Sequence, residues 1–355
     1  MIKFLKACHG SNALLTQLIN QWLFRDPAQS LLENIVHSMR LFPVGHGADG
    51  YSLTGIASLC DWVILSDAKD PKIRVCKRRP TEAPLHVFLS LRNPQEALCF
   101  FVNTILPSLS HPFVLISGSE DVTLPRQTDQ RWPPFETKVT QAIEKIEKSH
   151  LLLHWFVENL DDRWSEKVSP MPTGRVFPAR RSNARLIAHK STGVGQRPLR
   201  ALCAHRMREG PQWEAREKVV DLARNDWQDF VDVLDHPVPE EKYVELLKAY
   251  PFVLCVEGGG VDPSPKAWHA IQCGALPVIR KTATWDAYRK LPCVGVDFWR
   301  GDQLNVRLMK EWRDELGPFL ETVELRKGSL KRLSLGYWWR KVEEKARNNG
   351  TADPC

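Results

Sequence analysis

Nine cysteines are scattered through the chain without a CxxC pair and without histidines at metal-ligand spacing, which removes the usual basis for a zinc or iron–sulfur site. Several of them, such as Cys255 and Cys273, lie inside apolar runs as buried free thiols do, so a reducing, cytoplasmic setting is expected. No run of about 18 apolar residues is present to cross a bilayer. The opening MIKFLKACHGSNALLTQLINQWLF carries lysines and apolar residues, but His, Ser, Asn, Thr and Gln interrupt any signal-peptide core. It reads as an amphipathic helix packed on a core, with a degenerate targeting segment as the alternative. There is no repeat of fixed short period and no low-complexity tract, and glycine and proline are not in excess. These absences exclude solenoid, collagen-like and disordered classes.

What is present is the composition of a soluble globular protein, 43% hydrophobic and 26% charged over 355 residues, a length suited to two domains. The net charge of +7 favours anionic partners such as nucleotides, phosphates or acidic glycans, and is too weak to imply DNA binding by itself. Residues 175–218 concentrate the charge, with eleven Lys or Arg against three Glu. That segment reads either as a solvated basic linker or as an anion-contacting region. A nucleic-acid-binding role for it lacks any RRM, KH or helix-turn-helix signature.

Short apolar runs bounded by polar turns alternate with helical patterns. CDWVILSD (60–67), PLHVFLSL (84–91), HPFVLISGSED (111–121) and LLLHWFVEN (151–159) read as buried strands, with helices at 94–109 and about 136–149. The segment 168–198 combines Pro, Gly, Ser and Arg without apolar period and is the best candidate boundary. Beyond it, strands at 199–205, 229–235, 251–257, 276–279 and 291–299 alternate with helices at 213–227, 240–250 and 266–273, before closing helices at about 303–325 and 329–347. The expected fold is α/β, with two doubly wound Rossmann-like domains facing a cleft. The first domain would span 1–178, a linker 179–198 and the second domain 199–328, with a closing helix and tail, 329–355, packing back on the first.

One stretch, VEGGGVDPSPKAWHAIQCGALPVIRK (256–281), carries the chemistry. A buried strand ends at Glu257, Gly258, Gly259 and Gly260 permit close approach to the main chain, and Ser264-Pro265 has the form of a helix start. Lys266 lies in the first turn and Gly274 where a helix ends in a left-handed residue. The stretch contains neither GxxxxGK[ST] nor GxGxxG, so it is neither a P-loop nor a dinucleotide fingerprint. Unpaired helix N–H groups beside a lysine favour phosphate, whereas Glu257 and Asp262 suit sugar hydroxyls; the two characters together suit a nucleotide-activated sugar. The competing reading is a tight strand-to-helix connection.

Residues 252–279 resemble the donor-site motif of exostosin-like glycosyltransferases, approximately F-x-L-x-P-E-G-N-G-x-D-T-H-R-x-W-E-A-L-x-x-G-x-I-P-V. Phe252, Leu254, Glu257, Gly258, Gly260, Asp262, Trp268, Ala270, Gly274 and Pro277 match in type and order with one inserted loop residue. LPCVGVDFW (291–299) resembles the family's L-P-x-x-x-V-x-D-W segment, with weaker echoes at 111–125, 167–177 and 333–342. The resemblance implies the two-domain GT-B architecture, with the acceptor on the N-terminal domain and a UDP- or GDP-sugar on the C-terminal one. It implies no metal and no further cofactor. Three positions depart from the motif: His269 replaces the Glu expected to hold the donor ribose, Lys266 replaces an Arg, and Gly259 replaces an Asn. Lysine keeps the charge but loses the bidentate fork.

The donor-binding candidates are thus Glu257, Gly258, Gly259, Gly260, Asp262, Ser264, Lys266 and His269, joined by Arg206 and Arg208 from the loop after strand 199–205. His205 borders the same crevice, as a site residue or a structural histidine. Asp121 is the first choice for general base and Glu120 the alternative, unless both acids cap the turn before Pro125. The acidic pairs in LDDRW (160–164) and DVLD (232–235) read as surface charge. Trp132, Trp155 and Trp164 read as core. A catalytically inactive nucleotide-sugar or glycan-binding module of the same fold is the main alternative to an enzyme, and the sequence is silent on oligomeric state.

Overall fold

The computed structural model describes residues 53–79, 81–175, 192–263 and 265–348. The readings for the N-terminal segment, for 179–191, for Ser264 and for the tail beyond 348 lie outside the described residues.

The first sheet has six strands: β1 (Trp62–Asp67), β2 (Asp70–Lys77), β3 (His86–Ser90), β4 (Phe113–Gly118), β5 (Leu152–Val157) and β6 (Val168–Pro170). Their order is β2-β1-β3-β4-β5-β6, parallel throughout except for the β1–β2 hairpin. Central strands in such a sheet are buried on both faces, which is why they are continuous apolar runs in the sequence. Side chains alternate between two cores. Val63, Phe88, Val114 and Ile116 face one way, and Ile64, Val87, Leu89 and Leu115 face α1 (Pro94–Phe100) and α2 (Thr137–Glu147) on the other. The expected single helix over 94–109 is instead α1 followed by a π turn (Phe101–Ile105) and a 3-10 turn (Leu106–Ser108). Pro107 lacks the N–H needed to continue an α-helical ladder.

Two strands differ from the sequence reading. β2, DPKIRVCK, alternates charge with apolar residues on a partly exposed edge and has no continuous apolar run to mark it. β6 lies inside the segment 168–198 that reads as a boundary, so the first sheet continues through Pro170.

The second sheet contains β7 (Ala201–Cys203), β8 (Val231–Val233), β9 (Phe252–Leu254), β10 (Leu276–Arg280) and β11 (Val294–Val296), all parallel, in the order β11-β10-β9-β7-β8. Helices α3 (Glu214–Arg224), α4 (Glu240–Ala249), α5 (Lys266–Gln272) and α6 (Trp285–Tyr288) connect these strands. The chain steps outward from β7 to β8, then returns to lay β9 on the other side of β7. A doubly wound sheet opens its ligand crevice at such a reversal, outside the carboxyl ends of the strands. The molecule is therefore a pair of Rossmann-like α/β domains, the architecture implied by the motif.

After α7 (Val306–Leu316), α8 (Pro318–Glu321) and α9 (Val323–Arg332), the long helix α10 (Leu335–Asn348) crosses back and packs on β4 and β5 of the first sheet. Trp338, Val342 and Ala346 are its buried face, and Trp339 stacks on His86 with ring centroids 4.7 Å apart.

The basic segment is divided: Arg206, Arg208 and Lys218 are exposed, whereas Arg175 and Arg197 are buried. Arg175 donates to Gln272 Oε1 (3.0 Å) and pairs with Glu240 (3.3 Å). Arg197 donates to the carbonyls of Tyr250 (2.9 Å), Leu247 (3.3 Å) and Cys273 (3.3 Å). Arg197 and Arg326, the latter donating to Gln272 O (3.2 Å), are buried guanidiniums that close the carboxyl ends of α4 and α5, where helix carbonyls lack partners.

Trp268 ties α5 to the C-terminal helices: it is 1% exposed, its Nε1 donates to Leu333 O (3.0 Å), and its ring meets Tyr288 at 5.8 Å. Trp268→Ala is expected to lower unfolding free energy by about 3–5 kcal/mol in urea titration, the range for emptying a large aromatic site. A loss below about 1 kcal/mol would show that the site collapses without penalty.

Candidate functional site

The strand ends of the two sheets converge on a cavity of about 310 Å³. Glu120 and Asp121 follow β4, Asn159 follows β5 and Thr173 follows β6, while Arg208 follows β7 and Gly258, Gly259 and Gly260 follow β9. Asp262, Lys266, Trp213 and Arg216 complete the polar part of the wall. Of the residues singled out from sequence, Glu120, Asp121, Gly258, Gly259, Gly260, Asp262, Lys266 and Arg208 thus come together around one space between the lobes.

The glycine loop faces the other lobe at very close range. A Cβ on Gly259 would lie 1.5 Å from Arg131 Nη2 and 2.6 Å from Asp121 Oδ2, and one on Gly260 would lie 2.0 Å from Asn159 Oδ1. Gly258 would meet Arg216 Nη2 at 2.9 Å. Gly259 and Gly260 are therefore buried beneath first-lobe side chains, and only Gly258 is partly open. The expectation that the glycines admit a ligand is corrected in part, because the approach they permit at 259 and 260 is that of the opposite lobe. Asn159, in the left-handed region at φ 55°, accepts the Asp262 N–H at 3.0 Å and donates to Glu120 O at 3.2 Å.

Glu257 does not face the cavity. It is 6% exposed, and its two oxygens accept from Arg280 Nε and Trp299 Nε1, the latter at 3.1 Å. Its expected hold on sugar hydroxyls is thus taken by partners within its own lobe. Asp262 is buried and accepts from Tyr288 OH at 2.7 Å. His269 points toward Tyr243, ring centroids 6.4 Å apart, and is not among the cavity residues. Burial, then Arg175 and Lys266, depress its pKa to about 3, so it is neutral. His205 is a satisfied structural histidine: Nε2 lies 3.1 Å from Arg216 O, and burial lowers its pKa to about 3. Arg206 is exposed and contributes its carbonyl, which accepts from Arg216 Nη1 at 2.8 Å.

Four polar residues of the site carried no sequence signal: Arg216, Arg131, Gln212 and Asn159. Arg216 projects from the first turn of α3, donates to Glu257 O at 3.0 Å and is held near pKa 10 by burial and by Arg208. Arg131, Arg208 and Arg216 surround the Trp213 ring with guanidinium carbons 5.3, 4.8 and 4.7 Å from its centroid. Such clustering of like charges around one indole is favourable only with the ring face to share and anions nearby. Arg131 has its anions: Asp129 takes it in a bidentate pair, and Asp121 Oδ2 accepts at 2.7 Å. The carboxylate expected to act as base is thereby an ion-pair partner of the first lobe's own arginine. Arg208, Arg216 and Lys266 have no such carboxylate among the described residues.

The remaining acidic pairs are also accounted for. Asp161 accepts from Thr123 Oγ1 and the Arg126 N–H, Asp162 pairs with Arg126, and Asp232 and Asp235 pair with Arg200 and Arg224. Trp155 is fully buried and meets Trp164 edge-on at 5.7 Å, and Trp132 is half-buried.

No family model matches the chain, and no curated protein matches it. Among solved structures it is similar to an α,α-trehalose-phosphate synthase (UDP-forming) from Burkholderia vietnamiensis, at 12% identity and TM-score 0.41 over 78% of this chain and 73% of that one. It is also similar to an α,α-trehalose 6-phosphate synthase from Burkholderia multivorans, at 10% identity and TM-score 0.39 over 76% of this chain and 72% of that one.

Burial, followed by Arg216, lowers the Lys266 pKa to about 8. Because this lies below the ordinary lysine value, the unfolded chain holds the proton more tightly. The penalty on the folded state is full below pH 8 and fades as pH rises toward about 10.4. Lys266→Met is therefore expected to raise the melting temperature at pH 7, to lose that advantage by about pH 10, and to weaken phosphate-ligand affinity at pH 7. Thermal melts at both pH values check the sign; a variant less stable at pH 7 would contradict it. A second expectation concerns the lobe contact. Since Asp129 and Asp121 pin Arg131, Gly259→Ala should force the lobes apart, seen as a larger radius of gyration in X-ray scattering with the circular dichroism unchanged. An unaltered radius would show that Arg131 yields instead.

Proposed function

We propose that the chain is a GT-B glycosyltransferase that moves a sugar from a UDP- or GDP-sugar to a hydroxyl of a glycan or glycoconjugate acceptor. The observation that carries this reading is the set Arg208, Arg216 and Lys266, three cations with no ion-paired carboxylate among the described residues, beside the glycine loop at the strand-order reversal. Arg208 is exposed, but Arg216 and Lys266 are partly buried, which is unfavourable for such charges unless an anion joins them, and a diphosphate has the matching charge and size. The motif at 252–279 supports the narrower assignment to the exostosin-like group.

In this reading the reaction is inverting and independent of metal. The acceptor oxygen attacks the anomeric carbon while the bond from that carbon to the diphosphate oxygen breaks. Arg216 and Lys266 stabilise the negative charge that develops on the departing diphosphate. The hydroxyl proton passes to Asp121, which stands across the cavity on the first lobe, with Arg131 fixing the carboxylate's position. Glu120 is the neighbouring alternative. A binding module without turnover is the second reading, favoured by the engagement of Asp121 with Arg131.

Calorimetric titration with UDP and GDP, followed by assays of nucleoside-diphosphate release from UDP- and GDP-sugars with glycan acceptors, tests both. Arg216→Ala is expected to weaken nucleotide binding by roughly tenfold or more, the range of a charge-assisted hydrogen bond. Asp121→Asn should abolish release while leaving nucleotide affinity within about twofold. Binding without release in the parent protein would favour the module, and no binding of either nucleotide would overturn both readings.

A further inference from the structure

The geometry points to Gln212 as a positioning residue that sets the glycine loop and makes its conformation depend on contact between the lobes. Gln212 belongs to the second lobe, within a single 3-10 turn (Pro211–Trp213) leading into α3. Both ends of its side-chain amide are used. Nε2 donates to Gly259 O at 2.7 Å and to Gly258 O at 3.3 Å, and Oε1 accepts the backbone N–H of Gln130, in the first lobe, at 2.7 Å. The partners themselves fix which end is which: a flipped amide would set its oxygen against two carbonyls and its NH2 against an N–H.

Three successive glycines have no side chains to hold them, and each has the widest range of backbone conformations available to any residue. A loop of this kind needs an outside tether to keep one shape. Each peptide unit is planar and trans, so holding the carbonyls of Gly258 and Gly259 also fixes the directions of the Gly259 and Gly260 N–H groups. Gln212 holds the carbonyls. Gln130 holds Gln212, and Gln130 sits between Asp129 and Arg131, whose ion pair anchors that turn. The chain of contacts thus runs from a first-lobe ion pair, through one amide, to the backbone of the loop beside Arg216 and Lys266. For nucleotide binding the inference rests on the function proposed above; for the loop itself it does not.

The experiment uses Gln212→Leu, which keeps volume and removes all three hydrogen bonds, and Gln212→Ala as a second replacement. Arg163→Ala serves as control, because the Arg163–Asp286 pair (3.2 Å) also joins the lobes but touches no part of the glycine loop. Hydrogen exchange of peptides covering 256–262 is measured in the ligand-free proteins, and UDP and GDP are titrated into each. Gln212→Leu and Gln212→Ala are expected to exchange faster in this segment than the parent, with exchange in the strands of both sheets unchanged, and to bind the nucleotide about tenfold more weakly. Arg163→Ala should match the parent in both. Exchange in 256–262 that is unaltered by both Gln212 replacements would overturn the inference, as would an equal rise in Arg163→Ala. If the parent binds neither nucleotide while the exchange difference appears, the proposed function falls and the positioning role of Gln212 stands.

Discussion

The cleft depends on main chain meeting side chain with no Cβ between them. At Gly259 and Gly260 the second lobe offers bare backbone, and the first lobe fills the space with Arg131 and Asn159. Any other residue at either position would need room that these groups occupy. The contact brings the strand ends of two separate sheets within reach of one small molecule, and so places acids from one lobe opposite cations from the other.

The cations are the unfavourable part of this arrangement. Arg216 and Lys266 are held below their ordinary pKa values because burial removes the water that would stabilise them, and each worsens the position of its neighbours. The same fold buries Arg197 and Arg326 on helix-end carbonyls and Arg175 on the Gln272 side-chain oxygen and the Glu240 carboxylate. Arg216, which is only partly buried, also donates to carbonyls, those of Glu257 and Arg206, but unlike Arg175 it has no ion-paired carboxylate among the described residues.

Much of the fold was readable because doubly buried strands are continuous apolar runs and the helices between them keep their own period. Gly274, with φ 73°, ends α5 as its sequence position implied. The edge strand β2 was hidden because only one side of it meets the sheet. Within the site, the loop from 257 to 262 announced itself by composition, but the direction of each side chain did not. Glu257 turns inward because Arg280, at the end of β10, and Trp299, in the loop after β11, converge on it. Gln212, Arg131 and Asn159 are ordinary residues in ordinary loops, and their importance arises only when strands more than a hundred residues apart in some cases are set side by side. Nothing in a linear reading encodes that neighbourhood.

The chain's last described helix, α10, lies against β4 and β5, strands formed more than two hundred residues earlier in some registers, with Trp338, Val342 and Ala346 turned inward. The first lobe is therefore completed by a helix that follows the second lobe in sequence. A ribosome releasing this protein has made the whole of the second lobe before the first can cover that flank of its sheet, so early folding must tolerate an open apolar wall. By the same token the two lobes are not modules to be cut apart: a first lobe without α10 would carry an unroofed sheet.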